Sequence, residues 1–154
     1  MKQLILGHGQ HGKDTFAALL EKHHGYTFQS SSLFACEKAV LPHMDYETVE
    51  ACYAARHNNR LKWKSLISEY NTPDKARLCK ELLEYSDIYV GMRCNEEYLA
   101  SRDLFDVIYF VDAFTRRPRD PSMAIKYDPA KMIYVDNCGT LEELEEIAKR
   151  PKMC

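Results

Sequence analysis

Short apolar runs alternate with helical spacing of apolar residues along the whole chain. Lys2 to Leu6 reads as a short strand that breaks at Gly7, and Phe16, Leu19 and Leu20 then recur at the spacing of a helix face. The pattern predicts a glycine turn and a helix from Lys13 to His23, ended by Gly25. Tyr26 to Gln29 is a second short strand. Ser30, Ser31 and Ser32 follow as a turn and N-cap, with Leu33, Phe34, Cys36 and Ala39 lining the next helix. Tyr46 to Tyr70 is helical with a polar break at His57-Asn58-Asn59-Arg60, and Asn71-Thr72-Pro73 opens a helix that buries Leu78, Leu82 and Leu83. Strand character returns at Asp87 to Val90, Phe105 to Val111 and Met132 to Val135, with a short helix from Glu96 to Arg102 between the first two. Thr140-Leu141-Glu142-Glu143 is a capping box for a last helix. Five short apolar strands separated by helices predict an α/β fold, a five-stranded parallel sheet with helices on both faces.

The turn after the first strand carries the strongest chemical signal. Gly7-His8-Gly9-Gln10-His11-Gly12-Lys13 fits G-x-x-x-x-G-K throughout, while Asp14 takes the hydroxyl position and Thr15 comes one residue later. Gly7, Gly9 and Gly12 let backbone N–H groups turn toward an anion, the following helix points its positive end at it, and Lys13 adds a charge. A lysine at a helix start opposes the dipole unless an anion is present. Gly7, Gly9, Gln10, His11, Gly12, Lys13, Asp14 and Thr15 are therefore the expected seat of a nucleoside triphosphate.

Composition narrows the setting. A length of 154 residues suits one domain, and 21 basic against 23 acidic residues give a net charge of −2, too balanced for a global pull on nucleic acid or anionic membrane. No run reaches the roughly eighteen apolar residues of a membrane span, and the first strand is too short for a secretory signal, so a cytoplasmic protein without membrane contact is expected. The six cysteines (Cys36, Cys52, Cys79, Cys94, Cys138 and Cys154) are spread singly and read as reduced thiols. His8, His11, His23 and His24 have no cysteine or carboxylate at metal-ligand spacing, which favours structural or nucleotide-contacting roles.

In a parallel sheet, ligands sit off the carboxyl ends of the strands. That rule gathers Gly7 to Thr15, Ser30 to Ser32, Gly91 to Glu96, Asp112 to Arg119 and Asn137 around one crevice. Asp112 closes an apolar strand in the manner of a Walker-B carboxylate, or caps a turn.

Several of these stretches resemble one family. Gly12-Lys13-Asp14-Thr15 resembles the loop of bacteriophage deoxynucleoside-monophosphate kinases, within the nucleoside-monophosphate kinase superfamily of P-loop proteins. Arg93 with Asn95 and Glu96 resembles the end of that family's third strand, where Gly91 departs from an aspartate. Arg116, Arg117 and Arg119 resemble an arginine-bearing lid, and Met132 to Leu144 resembles a last strand and helix whose turn borders the adenine. A lysine usual after the second strand is replaced here by Leu33 or Phe34.

The resemblance implies a single domain over residues 1–154, with a helical acceptor-binding insert at about 32–85 and a lid-like loop at about 113–129. It implies ATP as donor with magnesium held by Thr15 and Asp14, and Asn137 at the base. Catalysis would fall to Lys13, Asp14, Arg93, Arg116 and Arg117. A small nucleotide acceptor would meet Ser30, Ser31, Ser32, Arg56, Arg60 and Arg93. A phage-encoded chain would work in the host cytoplasm, and a homodimer is compatible with the sequence.

Two other functions stay open. Arg56, His57, Arg60, Lys62, Trp63 and Lys64 form a basic cluster around an aromatic, which also suits a kinase acting on 5-hydroxymethyluracil in phage DNA. Gly91 in place of the aspartate suits a nucleotide-binding regulator without turnover.

Overall fold

The computed structural model describes residues 1–121 and 123–150; Ser122, inside the expected 113–129 loop, and residues 151–154, with Cys154, lie outside the described residues. The elements in chain order are β1 (Gln3–Gly7), α1 (Lys13–His24), β2 (Phe28–Ser30), α2 (Ser31–Ala35), α3 (Val49–Ala54), α4 (Arg60–Tyr70), α5 (Arg77–Leu83), β3 (Ile88–Val90), α6 (Asn95–Ser101), β4 (Val107–Asp112), β5 (Ile133–Asp136) and α7 (Leu141–Lys149). The expected five-stranded, all-parallel sheet is present, in the order β2-β3-β1-β4-β5.

Alternation along the strands builds two layers of core. Leu4, Leu6, Tyr89, Ile108 and Phe110 face one side, against Phe34 of α2, Leu78 and Leu82 of α5 and Tyr98 of α6. Ile5, Ile88, Val90, Tyr109, Val111 and Val135 face the other, against Phe16 and Leu20 of α1 and Leu144 and Ala148 of α7. The period of two in a strand sends successive side chains to opposite faces, and both faces here are apolar because helices cover both. A third cluster belongs to the helical middle of the chain: Cys36, Ala39, Val40, Cys52, Trp63 and Leu66.

Local chemistry sets the ends. Gly25 ends α1 in the left-handed conformation at φ 74°, its N–H bonded to Glu21 O. Ser30 and Thr140 cap α2 and α7 through bonds to the N–H groups of Leu33 and Glu143. The middle is more broken than its apolar spacing predicts. After α2 the chain winds as a π-helical stretch, Cys36–Val40, and a 3-10 turn, Leu41–His43. The next helix starts at Val49, after a Thr48 cap, and α5 starts at Arg77 rather than at the Asn71 turn. There Asn71 Oδ1 is spent on the Leu78 N–H, at 3.1 Å, so the Asn-Thr-Pro segment braces the helix from outside. Among the described residues, no helix is long and apolar enough to cross a membrane.

Candidate active site

The sheet order fixes where a crevice opens. From β1 the chain leaves toward β2, and from β4 it leaves toward β5, so the carboxyl ends of these two neighbours diverge. Gly7 pairs in register with Val111, which sets the glycine loop beside the segment that begins at Asp112.

The loop needs its glycines for space. A Cβ on Gly7 would stand 2.4 Å from Val111 O. At Gly12, which is left-handed at φ 95°, a Cβ would stand 2.4 Å from Asn137 Nδ2. Gln10 is also left-handed, at φ 63°, the one such non-glycine among the described residues.

Lys13 opens α1 and folds its side chain back, donating from Nζ to Gly7 O at 2.8 Å and His8 O at 2.9 Å. Burial depresses its pKa to about 8, and the nearby charge of Arg93 adds to the effect. Asp14 and Thr15 are exposed on the first turn of α1.

Two histidines pin the segment after β4 to this loop. His11 is fully buried and its Nδ1 accepts the Ala113 N–H at 2.8 Å. Nε2 therefore carries the hydrogen and donates to Pro118 O at 3.1 Å. The 3.4 Å approach of Nδ1 to Asp112 Oδ1 is then a meeting of two acceptors rather than an ion pair. His8 Nδ1 accepts the Asp120 N–H at 3.0 Å, and burial holds the His8 pKa below its usual value. Both histidines thus hold the segment after β4 against the loop, and among the described residues no group of three or more metal-binding side chains occurs.

Asp112 is 2% exposed and accepts from Tyr134 Oη at 2.8 Å and Arg119 Nη2 at 3.0 Å, while its Oδ1 has no hydrogen-bond partner. Burial raises this carboxyl, but the bonds from Tyr134 and Arg119 and the charge of Arg119 outweigh it and hold the pKa below the usual carboxylate range. Arg116 donates from Nε and Nη2 to Asn137 O. Asn137 Nδ2 donates to His11 O at 3.0 Å, so this amide braces the loop. Gln10, Gly12, Thr15, Arg116, Arg117, Asn137, Gly139 and Leu141 line a cavity of about 280 Å³ beside it.

On the other flank, Ser30 caps α2 and Ser31 Oγ bonds Val90 O, while Ser32 is exposed. A Cβ on Gly91 would stand 3.7 Å from both Lys13 Cε and Ser31 Oγ, so Ser31 and the end of β3 adjoin the lysine. Arg93 reaches the glycine loop as well, forming an ion pair with Asp120.

The expected residues thus divide. Gly7, Gly9, Gln10, His11, Gly12, Lys13, Asp14, Thr15, Ser31, Arg93, Arg116, Arg117 and Asn137 line or adjoin the crevice. Arg56 stacks on Tyr53 with its guanidinium carbon 4.0 Å from the ring centre, and Arg60 reaches His57 at 3.4 Å, contacts that lie within the insert. Trp63 is 7% exposed, packed with Cys36, Cys52 and Leu66, so it does not offer the base-stacking face that the basic cluster around it had suggested. Asp120, paired with Arg93, and Tyr134, bonded to Asp112, are neighbours that the sequence did not single out. The only hint of the first was its position between two prolines in a basic loop.

No protein-family model matches the sequence, and no curated protein matches it. Among solved structures the chain is similar to the unliganded crystal structure of a sugar kinase from a Janibacter species. The TM-score is 0.49 and the identity 15%, over 96% of this chain and 91% of that one. At that score the likeness carries no weight for the chemistry, which rests on the residues described above.

Proposed function

We propose that the chain is an ATP-dependent phosphotransferase acting on a deoxynucleotide, most simply a deoxynucleoside-monophosphate kinase. The observation that carries this reading is the placement of Lys13, its Nζ on Gly7 O and His8 O at the base of a glycine loop that opens at the divergence of β1 and β4. Arg93, Arg116 and Arg119 stand around the same crevice. Phosphoryl transfer asks mainly for positioning and for positive charge about the moving group, and this is an apparatus of that kind.

The chain's groups divide the task. Backbone N–H groups of the loop and the Lys13 ammonium would hold the donor phosphates. The cavity between Gly12, Arg116, Asn137 and Leu141 would take the base. Thr15 and Asp14 offer hard oxygen donors on the exposed first turn of α1, a set that fits magnesium, which binds through one or two protein oxygens plus phosphate. Bound there, the metal would supply positive charge against the donor phosphates. Ser31 and Arg93 flank Gly91 and Lys13 and would face the acceptor, with the insert closing that side.

Incubation with labelled ATP and a panel of free deoxynucleoside monophosphates, hydroxymethylated DNA and plain DNA tests the reading. Label on a free monophosphate supports it. Label on hydroxymethylated DNA alone transfers the assignment to a DNA-base kinase. ATP binding without transfer to any acceptor makes the chain a nucleotide-binding regulator.

A further inference from the structure

Four cations around the glycine loop have acceptors within the chain. Lys13 has the carbonyls of Gly7 and His8, Arg119 has Asp112, Arg116 has Asn137 O, and Arg93 has Asp120. The Asp120 carboxylate lies against the loop backbone: a Cβ on Gly9 would stand 3.4 Å from Asp120 Oδ2 and 3.5 Å from Arg93 Nη2. Its backbone is anchored there by the bond from Asp120 N–H to His8 Nδ1 at 3.0 Å. The side chain of Asp120 is 24% exposed against 54% for Arg93, so the carboxylate is the more enclosed partner.

A carboxylate and a phosphate ask for the same surroundings, backbone N–H donors and a guanidinium. Gly9 is the middle glycine of a loop read as presenting those donors. We infer that Asp120 is an internal competitor for the phosphate seat: in the ligand-free chain its carboxylate holds Arg93 over Gly9, and a polyphosphate seats by displacing it. The inference rests on the reading of Gly7 to Thr15 as a phosphate loop. Displacement transfers Arg93 from Asp120 to the ligand and removes one tie between β3's end and the segment 113–121, while the ties through His8 and His11 remain.

The test is titration calorimetry of wild type and Asp120→Asn with pyrophosphate, and with ATP in the absence of metal, at low and high salt. Asp120→Asn keeps the side chain's size and removes its charge. It should bind pyrophosphate about tenfold more tightly at low salt, as expected for taking one like charge from beside a polyanion, with the gap narrowing as salt screens it. Equal or weaker binding by the variant overturns the inference and leaves the loop reading standing. Should neither protein bind pyrophosphate or ATP, both readings fall. Hydrogen exchange on the wild type needs no variant: pyrophosphate should speed amide exchange within 113–121, and unchanged exchange on saturation would overturn the displacement.

Discussion

Arg116 and Asn137 are joined twice over, the guanidinium donating from Nε at 3.0 Å and from Nη2 at 2.6 Å to one backbone oxygen. The same Asn137 sends its side-chain amide to His11 O, and His11 takes the Ala113 N–H, so the segment after β4, the turn after β5 and the glycine loop close into a ring. The loop's shape is therefore held from outside itself. Asn137→Ala would leave the buried His11 carbonyl without its donor, and urea denaturation should show a loss of about 1–3 kcal/mol. The same variant should also bind ATP more weakly. An unchanged midpoint would mean that the ring does not brace the loop.

Lys13→Ala should lower phosphoryl transfer by at least about a hundredfold, because the charge serves a ligand. Its melting temperature at pH 7 should stay close to wild type, since the burial that depresses the lysine's pKa offsets part of what its two carbonyl bonds contribute. Near-normal turnover would remove Gly7 to Thr15 from the donor site.

The depressed lysine also couples ligand to protons. With a pKa near 8 against an ordinary 10.5, Lys13 is held toward its neutral form in the free fold, and its contribution to stability is present above 10.5 and lost as pH falls through about 8. A polyphosphate favours the charged form. Binding at a pH of about 8.5 should therefore take up a proton, up to about one per site, seen as different calorimetric heats in buffers of different ionisation enthalpy. Lys13→Arg, always charged, should show no such difference.

Gly12→Ala combines a left-handed backbone with a Cβ 2.4 Å from Asn137 Nδ2. Thermal denaturation should register a loss of about 2 kcal/mol, or roughly 4–8 °C in a chain of this size. Gly9→Ala is the matched control, because its Cβ would meet neighbours at 3.4 Å and 3.5 Å, near ordinary contact. Equal melting temperatures for the two variants would contradict this account.

The double variant Arg60→Ala/Lys62→Ala separates a free nucleotide from a nucleic acid as acceptor. A monoester should give a KM that responds weakly to ionic strength. A DNA backbone would give log affinity falling with log salt at a slope of about −0.7 to −0.9 per phosphate contact. The weak response is expected here, since Trp63 is packed inside the insert and the chain's charge is balanced. A steep slope on DNA that flattens in the double variant would favour the DNA kinase.

Strands β1, β3 and β4 were legible because each is a short apolar run closed by a polar or glycine residue, and a strand buried on both faces needs nothing more, whereas β2 and β5 lie at the sheet edges and are less buried. The turn between β1 and α1 was legible because Gly7 closes an apolar run and Gly12 stands just ahead of a helical spacing of apolar residues. The partnership of Arg93 with Asp120 was not. It depends on the path of 113–121 across the loop, and that path is set by His8 and His11, whose rings bind backbone groups that carry no sequence signature. Nor does helical spacing reveal the π-helical turn at Cys36–Val40, which keeps the same residues buried while advancing the chain differently.

That turn belongs to a cluster with its own interior, and the partly buried Ile67 and Tyr70 pack against both it and the sheet's core. Substitutions at Cys52, Trp63 or Leu66 should therefore be felt within the insert and combine additively with substitutions beneath β1 and β4. The helical middle of this molecule can change its packing while the half that holds the glycine loop stays as it is.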